Sequence, residues 1–292
     1  MKQQDCLRRF IFEEHAIRGE WVCLHESWLA AKQHQALVSQ DVESQLGQAL
    51  AAVVLLAATI KFKGAMIMQI QGSGELKALV AQATHDRKIR GLVRSEPSVK
   101  GANLQEMIGE AGRLVLTVES ENSEPYQGIV GIEQSNLAGV LKTYFAQSEQ
   151  LETRLWLFAN QTHAAGLFIQ ELPGEQKADH DWERIEALAN TVSATEMLSL
   201  DCEELLHRLF HEEKVRLYEP DSVEFKCNCS QDKIANTLYS LGRAELEAIL
   251  SERDRIEVDC QFCGAQYCFD KVDVENLLTN PLPNSNQSSI RH

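Results

Sequence analysis

The sequence predicts a mixed α/β (α+β) N-terminal domain, a helical linker and a small C-terminal domain built on four cysteines. Three observations carry that reading: strand-like and helix-like patterns intermingle over residues 1–178, acidic residues crowd residues 179–224, and five of the eight cysteines follow residue 226. With 292 residues, 44% hydrophobic and 24% charged, the chain is long and apolar enough for two cores, which excludes disorder and a disulfide-stapled miniprotein.

In the first domain, Ile17 to Leu24 alternates and predicts an early strand. Ser39 to Ile60 carries a long apolar helical pattern that begins near the caps Ser39 and Asp41 and is closed by Lys61 and Lys63. Gly64 to Gly74 reads as a strand running into a glycine turn, and Arg113 to Val118 and Gly128 to Ile132 as further strands. A helix is expected from Asn136 to Tyr144, followed by apolar strands at 156–158 and 166–170. Leu172-Pro173-Gly174 is a stop signal, and the domain boundary is placed at residue 178. No repeat of fixed period is present.

From Asp179 to Asp221, twelve acidic and four basic residues leave −8, more than half of the chain's formal charge of −15. Trp182, Ile185, Leu188, Leu198, Leu205, Leu206, Leu209 and Phe210 recur at three- and four-residue spacing, so 179–224 should be helical, yet its charges repel one another and it depends on neighbours. A solvated connector and a conditionally folded region both fit that pattern. Residues 280–292 have the composition of a disordered tail.

The chemistry lies in residues 225–279. Cys227-Asn228-Cys229 and, about thirty residues on, Cys260-Gln261-Phe262-Cys263-Gly264 put four thiols in two close pairs. The second pair has the spacing of a zinc knuckle, whose glycine lets backbone amides turn toward the sulfurs, and an extended strand would aim Cys227 and Cys229 from one face. Ser230 is expected to cap a helix bearing Ile234, Leu238 and Leu241 and ending at Gly242. A second helix is expected over Ala244 to Leu250, with short strands at Ile256/Val258 and Tyr267/Phe269. No histidine lies between His211 and His292, so a closed tetrahedral site would use Cys227, Cys229, Cys260 and Cys263. That donor set suits one structural Zn²⁺ per chain and leaves no open position for catalysis.

An inert staple is one account of the quartet, because a segment of about fifty residues usually needs one. Thiol chemistry offers another. Residues two apart in a strand span about 6.6 Å, near the upper limit for a disulfide, so bonding Cys227 to Cys229 requires a bend away from metal-binding geometry. Zinc thiolates are deprotonated and nucleophilic, and an oxidant can convert each pair to a disulfide. Structural zinc contributes about 10 to 16 kcal/mol, comparable to the roughly 5 to 15 kcal/mol that holds a whole domain, so its loss should unfold the module.

With these residues in view, the chain resembles the bacterial redox-regulated heat-shock holdases, the thirty-three-kilodalton chaperones of the oxidative stress response. The resemblance rests on Cys227, Cys229, Cys260 and Cys263 at their spacing, on the flanks Glu224-Phe225-Lys226 and Tyr239 to Gly242, and on upstream segments in the same order. Those segments are Gln69 to Gly74, Arg90-Gly91, Tyr144 to Gln150, Gly166 to Pro173 and Phe210 to Glu213, so nearly the whole chain is covered. The resemblance implies a cytoplasmic, ATP-independent holdase rather than an enzyme, inactive when reduced and zinc-bound. Oxidation by peroxide or hypochlorite would form Cys227–Cys229 and Cys260–Cys263 disulfides, release zinc and unfold the linker. The protein would then protect thermally unfolding or oxidatively damaged clients from aggregation, and would favour a homodimer.

Other classes fit less well. A thiol-disulfide oxidoreductase using Cys260 and Cys263 is the alternative, but that pair does not open a helix after a strand. Nucleic acid is disfavoured as a partner by the net charge and by Glu252, Asp254, Glu257, Asp259 and Asp270 around the knuckle. Membrane insertion is disfavoured because the longest apolar run, Ala49 to Ile60, has twelve residues where a span needs about 20. No phosphate-binding loop is present. Cys6, Cys23 and Cys202 read as isolated, incidental thiols, and Cys268 as a bystander that could compete as a fifth sulfur. His15, His25 and His163 belong to no catalytic motif.

Overall fold

The structure, a computed structural model, describes residues 5–279 apart from 36, 38, 100–102, 122 and 174–179. The boundary expected at residue 178 and the tail expected over 280–292 lie outside the described residues. The chain divides into two compact units, one ending at Lys226 and one beginning at Cys227.

In the first unit, β1 (Cys6–Phe12), β2 (Ile17–Leu24), α1 (Glu26–Lys32) and α2 (Gln40–Ala58) come first. They are followed by β3 (Gly64–Gln71), β4 (Leu76–Thr84), β5 (Lys88–Ser95), α3 (Leu104–Ile108), β6 (Arg113–Ser120) and β7 (Ser123–Gly131). Next are α4 (Leu137–Ser148), β8 (Thr153–Ala159), β9 (Ala164–Glu171), α5 (Asp181–Ala189), α6 (Ala194–Ser199) and α7 (Cys202–Phe210). Three short strands close the unit: β10 (Val215–Leu217), β11 (Asp221–Ser222) and β12 (Glu224–Phe225). One sheet has the order β10-β1-β2-β9-β8, with β11 also paired to β1, and the other has the order β12-β5-β4-β3-β6-β7.

Helix α2 explains why these sheets stack. The Ser39 hydroxyl accepts the Val42 N–H, and Asp41 and Glu43 occupy the first turn, where the positive end of the helix favours acids. From Ala49 on the helix is apolar on every side, and a helix of that kind must be covered all round. It lies between the sheets, touching β2, β8 and β9 of one and β3, β4 and β5 of the other. By length and composition its 19 residues could cross a membrane, but Leu46, Leu50, Val53, Val54 and Leu55 are fully buried in this core. It outruns the unbroken apolar stretch because Val42 and Leu46 extend the buried face among polar residues. At Gly47 a Cβ would come within 2.6 Å of the Ala159 Cβ, so the missing side chain lets helix and sheet approach closely.

The other face of the first sheet is covered by α5, α6 and α7. Ile185, Met197, Leu205, Leu209 and Phe210 join Phe10, Phe12, Trp21 and Leu167 in a second apolar cluster. Helices α6 and α7 begin with capping boxes at Ser193/Glu196 and Asp201/Glu204. The acidity that makes this segment repel itself meets basic side chains of β1, the β1–β2 turn and β8. Arg154 pairs with Glu186, Arg8 with Glu203, and the His15 ring nitrogens contact Asp181 at 2.8 Å and Glu213 at 3.1 Å.

The second unit contains α8 (Gln231–Leu241), α9 (Arg243–Glu252), β13 (Arg255–Asp259), β14 (Gln266–Asp270) and α10 (Lys271–Thr279). The Ser230 hydroxyl accepts the Lys233 N–H, and Gly242, at φ 83°, turns the chain from α8 into α9. Ile256 pairs with Phe269 and Val258 with Tyr267 across the hairpin. The small core is Ala235, Leu238, Leu246, Leu250, Ile256, Phe269, Val274 and Leu277.

Candidate metal centre

The first cysteine pair does not sit in a strand. The ladder ends as the Lys226 N–H bonds the Ile89 carbonyl, and Cys227 to Ser230 run as irregular chain into α8. Within the pair, the Cys229 N–H donates to the Cys227 sulfur. The second pair follows β13. The Cys260 N–H bonds the Ala265 carbonyl at 2.8 Å, and the Gly264 N–H returns to the Cys260 carbonyl at 2.7 Å. Gly264, at φ 69°, permits that turn, after which the Ala265 N–H reaches the Cys263 sulfur. In both pairs a peptide dipole therefore points at sulfur, which favours thiolate.

The four sulfurs converge. Cys227 and Cys260 approach to 3.7 Å, Cys229 and Cys263 to 3.4 Å, and all four lie within 4.8 Å of one another. A tetrahedral ion with bonds of about 2.3 Å to sulfur separates its ligands by about 3.8 Å, so the donor set fits a small thiophilic cation such as Zn²⁺ in spacing, number and softness. Cys260 is buried and the other three are half-buried. Among the described residues no other group of three or more ligating side chains converges in this way.

The thiols are inequivalent. Burial raises Cys227, and burial with the neighbouring sulfurs raises Cys263 to about 12. At Cys229 burial acts in the same sense, but the Tyr267 hydroxyl and the other three thiols donate to its sulfur and bring it down to about 7. The same bond holds the proton on Tyr267, raising it to about 12. Cys229 thus gives up its proton readily while Cys227 and Cys263 hold theirs, and a bound cation would allow the thiolates to coexist. In sequence, Tyr267 carries only the alternation of a strand residue. Its place on the hairpin arm that leaves the knuckle was the available signal.

Cys268 is exposed on β14, opposite Glu257, and lies outside the quartet. The Cys260-x-x-Cys263 segment joins two strands of a hairpin and opens no helix, unlike the arrangement a thioredoxin-like oxidoreductase uses. Cys6, Cys23 and Cys202, remote in sequence, come together in the first unit.

A family model described as Hsp33 protein matches residues 5–270. The chain belongs to the Hsp33 family. It is 54% identical to the 33 kDa chaperonin of Nitrosococcus oceani over 100% of both chains, and 43% identical to the 33 kDa chaperonin of Hahella chejuensis over 95% of this chain and 98% of that one. The crystal structure of the 33 kDa chaperonin from Thermotoga maritima, a heat shock protein 33 homolog, superposes with a TM-score of 0.80. It covers 95% of this chain and 98% of its own at 24% identity, a likeness of fold. The Hsp33 assignment agrees with the mixed α/β architecture and the cysteine quartet near the C-terminus.

Proposed function

We propose that this protein is a redox-regulated, ATP-independent chaperone of the cytoplasm that holds unfolding proteins when oxidised and rests when reduced. The observation that carries the reading is the convergence of four sulfurs in a unit whose own apolar core is small. Family membership and relatives named as chaperonins support the chaperone part. In the reduced state Cys227, Cys229, Cys260 and Cys263 hold Zn²⁺. When bound, the ion supplies a cross-link between the two cysteine segments and stabilises the thiolate form.

The thiolates of Cys227 and Cys229, and likewise those of Cys260 and Cys263, give two electrons to one hydrogen peroxide, and solvent supplies the two protons that each peroxide takes up. A sulfur–sulfur bond forms between Cys227 and Cys229, a second forms between Cys260 and Cys263, and each peroxide is cleaved to two water molecules. The disulfides have no anionic sulfur left for a cation, so the metal is released and the unit loses its cross-link. In this reading the acidic helices α5–α7 then come away, because their mutual repulsion is opposed mainly by the apolar face they bury. That face and the sheet beneath it offer apolar surface to clients and favour a homodimer.

Light scattering from a heat-denatured client tests the proposal. Peroxide-treated protein should suppress aggregation while the reduced, zinc-loaded protein does not, with zinc appearing in a chromogenic chelator as the disulfides form. Equal suppression by both forms would overturn the switch.

A further inference from the structure

The three cysteines that looked isolated in sequence share one patch. In the antiparallel pairing of β1 with β2, Cys6 stands directly opposite Cys23. Directly opposed residues have Cα atoms about 4.5 to 5.5 Å apart and side chains on the same face, inside the range of about 4.4 to 6.8 Å that a disulfide spans. That face is the one covered by α5–α7. Cys23 and Cys202 belong to the apolar cluster with Leu205 and Leu209, and Cys6 packs against it. Cys202 opens α7, and its neighbour Glu203 takes Arg8, two residues along β1 from Cys6, at 3.5 Å, which places the start of α7 over this end of the strand. Cys23 and Cys202 are 1% and 3% exposed, and Cys6 is half-buried.

We propose that Cys6 and Cys23 form a second disulfide site, distinct from the quartet, that is closed to oxidants while α7 is docked and becomes competent when α7 leaves. The proposal rests on the reading that α5–α7 come away on activation. The oxidant class is a two-electron peroxide: both thiols lose hydrogen, the Cys6–Cys23 bond forms, and one hydrogen peroxide yields two water molecules. While α7 is docked, burial holds the protons on all three thiols, raising Cys23 to about 12, so thiolate is scarce. Departure of the helix removes the burial, while the ladder keeps the two residues opposed and needs no rearrangement. The pair therefore responds to the opening of the helices rather than to oxidant alone, and follows the quartet in time.

Alkylation with iodoacetamide, read by mass spectrometry on the full-length, reduced, zinc-loaded protein, tests the gate. Cys6, Cys23 and Cys202 should label at least about tenfold more slowly than exposed Cys268, as buried protonated thiols do. Comparable rates overturn the proposal. In a peroxide time course the Cys6–Cys23 peptide should appear after the quartet disulfides, together with loss of hydrogen-exchange protection in α7. Loss of protection without that peptide overturns the site. Retained protection in α7 instead refutes the helix-release reading, and the site is then decided by Phe210→Asp, which removes the ring contacts with Phe10 and Phe12 and frees α7 directly. With protection of α2 confirming that the rest is folded, peroxide must join Cys6 to Cys23 in this variant, and failure to do so overturns the site. Leu209→Ala, a smaller lesion in the same contact, gives the same readout if Phe210→Asp does not fold.

Discussion

Helices α2 and α8 begin alike, each with a serine hydroxyl accepting a peptide N–H three residues on, and then diverge. Along α2 almost every side chain from Val42 to Ala57 is buried between two sheets, whereas on α8 Ala235 and Leu238 alone are buried and Tyr239 and Leu241 stand exposed. The first unit can fold on apolar burial. The second has a much smaller core and gathers four sulfurs beside it, where the proposed metal cross-link would make up for the missing burial.

The largest expected effect comes from removing the cross-link. Chelation of the metal, or Cys260→Ser, should cost the second unit on the order of 10 kcal/mol and collapse its amide dispersion in NMR spectra, while the resonances of the first unit stay in place. A second unit that keeps its dispersion without metal would erase the contrast. Leu50→Ala on α2 should lower the stability of the first unit by about 4 kcal/mol in chemical denaturation and leave zinc affinity unchanged, because it opens a cavity in a core that already stands on burial.

Glu20 sharpens the contrast through pH. It is 2% exposed, its Oε2 has no partner, and burial, only partly offset by Arg18 and Arg9, raises it from 4.5 to about 8. Between those values the native state keeps a proton that the unfolded chain has lost, so stability falls as pH rises from about 4.5 to 8 and levels off above that. Glu20→Gln should flatten this slope and stabilise the first unit at pH 7 by on the order of 2 kcal/mol, measured as denaturation midpoints across pH. The smallest effect is Ser230→Ala. Loss of one cap should weaken α8 by about 1 kcal/mol, visible as a lower melting temperature of the zinc-loaded second unit.

What the sequence made legible follows the same division. The caps and continuous apolar pattern of α2 and the cysteine spacing are local signals, and the strands expected at Ile256/Val258 and Tyr267/Phe269 are present as the two arms of a hairpin. Strands β1, β4 and β5 were not anticipated. Arg8 and Arg9 interrupt β1, Lys88, Arg90 and Arg94 punctuate β5, and β4 is rich in alanine and lacks β-branched residues apart from Val80 and Thr84. Only the partners of these strands make them strands. At the site, four ligand candidates were readable from spacing, but the turning of the Cys229 N–H onto Cys227, the reach of Tyr267 and the meeting of Cys6, Cys23 and Cys202 depend on tertiary placement that no short motif encodes.

The docking of α5–α7 joins an oily seam to a fringe of opposite charges at Arg8 and Arg154. Small ions damp the fringe, with a Debye length of about 8 Å at physiological ionic strength, and leave the seam nearly untouched. The grip on these helices is therefore tuned by the salinity of the surroundings, through the fringe and not through the seam.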